Sequence, residues 1–147
     1  MIDKRTIEQN QIDRIVRIPA NGIQLEGALV IPSEAKGVVL FAHGSGSSRD
    51  SPRNNFVAEV LHKADMGTLL MDLLTTEEES IYENRFDIDL LTWRLERATQ
   101  WIMEQPRSTS LNIGYFGAST GAAAALQAAA TFGSSIAQWC HAAAVLT

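Results

Sequence analysis

Apolar and polar residues follow a period of two near the amino terminus and a helical period further along, with continuous apolar runs between. Ile12 to Ile18 reads as a first strand, and Asn21-Gly22 as a two-residue hairpin turn, since both residues tolerate positive φ. Ile23 and Leu25 alternate with Gln24 and Glu26 before the apolar run Ala28 to Ile31, the pattern of a strand with one wet face that becomes buried. Pro32 and Gly37 bracket a loop. Gly37 to Ala42 is apolar on both sides, as a strand covered on both faces requires. A glycine- and serine-rich loop follows from His43 to Asp50, and Ser51-Pro52 opens a helix. Phe56, Val57, Val60, Leu61 and Ala64 recur at helical spacing, which predicts packing on the sheet. Gly67 to Met71 is another short strand, and residues 73 to 86 are polar. Asp87 and Asp89 suit a helix N-terminus, and Leu91, Leu95, Ala98 and Ile102 trace one face of a helix that stops before Pro106. Leu111 to Phe116 is the next strand and Thr120 to Ala130 an alanine-rich helix.

Strands alternating with helices after an initial hairpin imply an α/β protein with a mostly parallel sheet and flanking helices. Chemistry in such sheets gathers at the carboxyl ends of the strands, which places three loops together: His43 to Asp50, Asp72 onward, and Gly117 to Gly121. No internal repeat or long linker divides the 147 residues, so a single domain is expected. Net charge −5 gives no basic footprint for nucleic acid, and no apolar run suggests a membrane span. The polar start MIDKRTIEQNQIDR has no signal-peptide core. The lone Cys140 excludes an internal disulfide and fits a reducing cytoplasm.

Within GYFGASTGAA, Gly117-Ala118-Ser119-Thr120-Gly121 has the form G-x-S-x-G and joins an apolar strand directly to a helix. The pattern alone is weak; its context carries the signal. A tight strand-to-helix turn presents the serine hydroxyl, and Gly117 and Gly121 let strand and helix approach on either side. The Thr120 N–H at the helix start then faces an oxyanion formed by attack of Ser119. The plainer alternative is that Ser119 only caps the helix. A second oxyanion donor is expected from the loop after an earlier strand, with the Ser45 N–H first and Gly46 close behind. His43 reads as a loop-bonding residue, with a general-base role as the alternative. Arg49 and Arg53 could bind an anionic substrate group, or be solvated or capping residues. Asp72 anchors loop backbone in one reading and orients a histidine in another, and His62 reads as a surface residue.

VVLFAHGSGSSRDSPRN, GTLLMDLLT and LNIGYFGASTGAAAAL resemble the α/β-hydrolase superfamily and, within it, dienelactone-hydrolase-like proteins, over roughly residues 10 to 137. The resemblance implies serine-dependent hydrolysis of a carboxylic ester or lactone. Ser119 would be the nucleophile, Thr120 and Ser45 the oxyanion donors, and His43, Gly44, Gly46, Arg49 and Arg53 would surround the substrate. It implies no metal or organic cofactor.

Two features depart from the family. Asp65 stands at a helix-to-strand turn where relatives usually place glycine. After the last helix, relatives continue with a strand, the acid and the histidine, whereas this chain reads AQWCHAAAVLT, with His141 its only histidine after Ser119. One synonymous spelling of the family-like AVVSRGGRPDL, read one base later, translates as QWCHAAAVLT and a stop. Residues 138 to 147 are therefore expected to be an out-of-frame tail on a hydrolase domain lacking its C-terminal strands and helices. Self-association through an exposed sheet edge is expected of such a chain. Two other readings stand beside an impaired hydrolase: a non-catalytic interaction module on the same scaffold, and a split enzyme completed by a partner chain.

Overall fold

The structure is a computed structural model that describes residues 11–43 and 48–133. Five strands form one sheet: β1 (Ile12–Ala20), β2 (Ile23–Ile31), β3 (Gly37–Ala42), β4 (Met66–Met71) and β5 (Asn112–Gly117), in the order β1-β2-β4-β3-β5. The β1–β2 and β2–β4 pairings are antiparallel, and β4–β3 and β3–β5 are parallel, so the sheet is mixed. The hairpin turns where expected. Asn21 has φ 49° and Gly22 φ 86°, the two positive values of a turn whose twist matches its strands.

The helices are α1 (Pro52–Lys63), the single turn α2 (Thr76–Glu79), α3 (Ile88–Glu104) and α4 (Thr120–Phe132), with a 3₁₀ turn at Tyr82–Phe86. Ser51 caps α1 by accepting the Asn54 N–H, and Asp87 caps α3 by accepting the Leu90 N–H at 3.1 Å. Leu91, Leu95, Ala98 and Ile102 are buried, as their spacing predicts. They join β-sheet residues and the alanines of α4 in the main core on one face of the sheet. Each large side chain in that stripe contributes about 1.5–3 kcal/mol by leaving water.

The opposite face is thinner. Val39, Phe41, Met66 and Leu70 meet Ala58 of α1, with Val57, Leu61 and Phe116 packed at the margin. The expected packing of α1 needs correction here. Val57 and Leu61 lean on the sheet, but Phe56 is 66% exposed, Val60 is 52% exposed and Ala64 is exposed. The sequence places apolar residues over a stripe wider than the sheet covers. Segment 73–86, read as polar, in fact opens with the buried Leu73 and Leu74 and contains a capping box: the Thr75 hydroxyl accepts the Glu78 N–H while the Glu78 carboxylate accepts the Thr75 N–H.

Candidate active site at the strand-to-helix turn

β5 ends at Gly117 and α4 begins at Thr120, which leaves two residues to reverse the chain. Ser119 carries the change with φ 56° and ψ −128°, a conformation costing on the order of 1–3 kcal/mol for a residue with a side chain. The residue is exposed, and its side chain makes no capping hydrogen bond to α4. A serine serving only as a helix cap would adopt extended backbone and use its hydroxyl on the helix amides. Ser119 does neither.

The flanking glycines are required by space. A Cβ on Gly121 would lie 2.6 Å from the Ala42 carbonyl carbon and 2.7 Å from the His43 carbonyl oxygen. One on Gly117 would lie 2.8 Å from the Gly121 carbonyl oxygen. The turn is thereby pressed against the carboxyl end of β3, where the Ala118 N–H also donates to the Ala42 carbonyl at 3.3 Å. Thr120 is the first residue of α4, so its N–H has no acceptor within the helix. The Thr120 hydroxyl oxygen is buried without a hydrogen-bond partner among the described residues.

A cleft of about 480 Å³ at the carboxyl ends of β3 and β4 is lined by His43, Ser48, Asp72, Leu74, Thr75, Thr76, Glu79 and Arg85. A narrow recess bounded in part by His43, Leu74, Glu79 and Arg85, which also line the cleft, reaches Thr120. Asp72 stands at the end of β4 and gathers the loop after β3. It accepts the Arg49 N–H at 2.9 Å, and its oxygens lie 3.3 Å from Arg49 Nε and 3.5 Å from His43 Nε2. Partial burial pushes the Asp72 pKa up, but hydrogen bonds from His43 and the Arg49 backbone, with the charges of both side chains, outweigh it and leave the group below its ordinary value. Arg49 also reaches Glu26 at 3.4 Å, so its guanidinium is shared between two carboxylates. Arg53 is exposed on the first turn of α1. Gly44, Ser45 and Gly46, and the tail with His141, lie outside the described residues. His62 is not a plain surface residue: its Nε2 shares a 2.7 Å hydrogen bond with the buried Thr68 hydroxyl, and burial lowers its pKa.

The wall formed by residues 73–79 is held from behind by a residue that sequence reasoning passed over. Arg94 of α3 is buried and donates to both carboxylate oxygens of Glu78, at 2.8 and 2.6 Å, and to the Leu73 carbonyl at 3.2 Å. This pairing is the largest reason the Glu78 pKa falls to about 2. The signal was present, because position 94 falls on the buried stripe three residues after Leu91. On the cleft side, Arg85 Nε donates to the Glu79 carbonyl at 2.9 Å and pairs with its carboxylate at 3.1 Å. Among the described residues, no three His, Cys, Asp or Glu side chains gather as a metal-binding group. No helix of the described residues is long and apolar enough to cross a membrane.

A mixed sheet in this order, with a positive-φ serine between strand and helix at its carboxyl end, defines an α/β-hydrolase-type fold. Comparison with known proteins narrows the resemblance to dienelactone hydrolases. The dienelactone hydrolase of Anabaena variabilis ATCC 29413 is 54% identical at a TM-score of 0.78, over 83% of this chain and 58% of that one. Est1E from Butyrivibrio proteoclasticus superposes at a TM-score of 0.69 with 18% identity, over 83% of this chain and 47% of its own, which speaks to the fold alone. Two Mycobacterium tuberculosis proteins (strains CDC 1551 / Oshkosh and ATCC 25618 / H37Rv), provisionally named phosphoribosyl transferases, are 55% identical over 118 residues. That is 80% of this chain but 27% of each of theirs, so the chain spans about a quarter of the curated relatives it matches. No family model matches the chain.

Proposed function

We propose that this chain is the nucleophile-bearing part of a serine hydrolase acting on a carboxylic ester or lactone. In this reading the Ser119 hydroxyl attacks the carbonyl carbon, and the Thr120 and Ser45 amides hold the oxygen on which negative charge develops. The observation that carries it is the exposed, positive-φ Ser119, whose hydroxyl is not used as a cap, at a turn closed by Gly117 and Gly121. The 54% identity to a dienelactone hydrolase supports the same chemistry.

Attack needs a group to take the hydroxyl proton. Residues 120–133, TGAAAALQAAATFG, contain neither a histidine nor a carboxylate. α4 therefore supplies neither the proton acceptor nor its orienting acid; His43, 3.5 Å from Asp72 and lining the recess that reaches Thr120, is one candidate base, and a histidine and acid from another part of the polypeptide or from a partner chain are the other.

The test is fluorophosphonate labelling of Ser119 together with p-nitrophenyl ester turnover, with Ser119→Ala as control. Serine-dependent labelling or turnover, alone or on adding another chain, supports the hydrolase. Complete inertness in both settings favours the non-catalytic interaction module. The transferase name of the mycobacterial relatives is a second reading, favoured by their 55% identity. It belongs to proteins of which this segment makes up 27%, and a phosphoribosyl transfer assay on the chain would decide it.

A further inference from the structure

The cleft differs from most small-molecule sites in what lines it. Such sites are walled mainly by hydrocarbon, with a few polar groups to fix orientation. Here Leu74 is the single hydrocarbon side chain among the described lining residues. The charges that face the cleft are already matched: Arg85 pairs with Glu79 at 3.1 Å, and Asp72 lies 3.3 Å from Arg49 and 3.5 Å from His43. An ionic ligand would have to compete with those pairs. Uncommitted hydrogen-bonding groups remain. Arg85 spends Nε on Glu79 and makes no bond to a described residue through its two terminal amino groups. The Thr76 hydroxyl also bonds no described residue. The Ser48 hydroxyl accepts the Asp50 N–H at 3.2 Å and keeps its own proton to donate. Donors and acceptors with matched charges suit a neutral ligand dense in hydroxyls, because each hydroxyl both donates and accepts.

The recess that reaches Thr120 has apolar walls and a hard size limit. Leu73, Leu74 and Leu91 form those walls, and its free volume is about 10 Å³, room for one methyl group or one water. Leu74 borders both spaces, so it is the partition between them. We infer that cleft and recess together seat an acetyl ester of a neutral, polyhydroxylated alcohol. The acetyl methyl enters the recess, beside the residue that follows the candidate nucleophile, and the hydroxyls meet Thr76, Ser48 and Arg85. Leu74 then sets the length of acyl chain that the site accepts. Calling this ligand a substrate rests on the ester-hydrolase reading of Ser119; the ligand's chemical class rests on the two cavities.

The test uses the full 147-residue chain carrying Ser119→Ala, so that binding is read apart from turnover, with Kd taken from NMR shifts. Methyl glucoside acetylated at its primary hydroxyl should shift the Arg85 Nε–H resonance. It should bind about tenfold more tightly than cyclohexylmethyl acetate, which lacks the hydroxyls, and than acetoxybenzoate, which adds a charge. The matching butanoyl glucoside should bind about tenfold more weakly than the acetyl one, and Leu74→Ala should bring the two together. Thr76→Val should raise the Kd of the acetyl glucoside about fivefold. Equal binding of cyclohexylmethyl acetate or acetoxybenzoate overturns the inference, as does the absence of any shift at Arg85. So does a butanoyl ester bound as tightly as the acetyl one with Leu74 intact, the result expected if the recess holds only water. Should Leu74→Ala fail to fold, the ligand series on the parent chain and Thr76→Val decide the matter. Ser119 labelling is read separately in the native chain. An inert serine with the expected ligand order sinks the hydrolase reading alone, and a labelled serine without that order sinks the ligand class alone.

Discussion

The two walls of the candidate site are held by opposite means. At the turn from β5 to α4, backbone does the positioning: a strained serine, two glycines with no room for a side chain, and an amide bonded to the Ala42 carbonyl. The segment after β4 is held by side chains, through the Arg94–Glu78 pair and the Thr75–Glu78 capping box. Backbone positioning is insensitive to pH and intolerant of added volume. Side-chain positioning tolerates volume but depends on charge.

The largest effect that would test this contrast is Gly121→Ala. Its methyl group would fall onto the Ala42 and His43 backbone, which cannot give way as a flexible side chain could, so loss of the folded state in circular dichroism is expected. Next comes Glu78→Ala, which leaves Arg94 charged, buried and without its partner, and should cost about 3 kcal/mol in urea unfolding.

The same pair gives the second wall an acid limit. The Glu78 pKa is depressed from 4.5 to about 2, so its stabilisation is complete above about pH 5 and is lost as the pH falls through the folded value. Melts between pH 6 and pH 2 should show this loss, and Glu78→Gln should flatten that part of the profile. Relief of backbone strain is expected in Ser119→Gly, with a gain of about 1–2 kcal/mol and loss of any fluorophosphonate labelling. The smallest expected effect lies at Asp65, held at φ 60°, where Asp65→Gly should raise stability by about 0.5–1 kcal/mol in the same melts.

The first wall was legible in the sequence and the second was not. G-x-S-x-G between an apolar strand and an alanine-rich stretch encodes a local turn, and its serine and both glycines lie within five positions, although the backbone that presses on it belongs to Ala42 and His43. The Arg94–Glu78 pair joins residues 16 apart, and nothing in the polar run 73–86 says which of three consecutive glutamates meets a buried arginine. The α1 stripe failed differently. Its period correctly announced a helix, but five apolar positions overstate what one sheet face covers, and Phe56 and Val60 remain in solvent. His62, read as a surface residue, proves to bond Thr68 because a strand six residues on folds back beneath the helix.

By itself the sequence determined the five strands and the three long helices, the hairpin turn, the buried face of α3 and the place of the serine. These depend on period and on residues close in the chain, where propensity and turn chemistry act directly. Only the tertiary structure decided the strand order, the particular pairing of Asp72 with His43 and Arg49 within the loops expected at one sheet end, the anchor behind the cleft, and the uncovered side of α1. Those depend on which distant surfaces meet, and burial and charge pairing between distant segments leave no periodic trace along the chain.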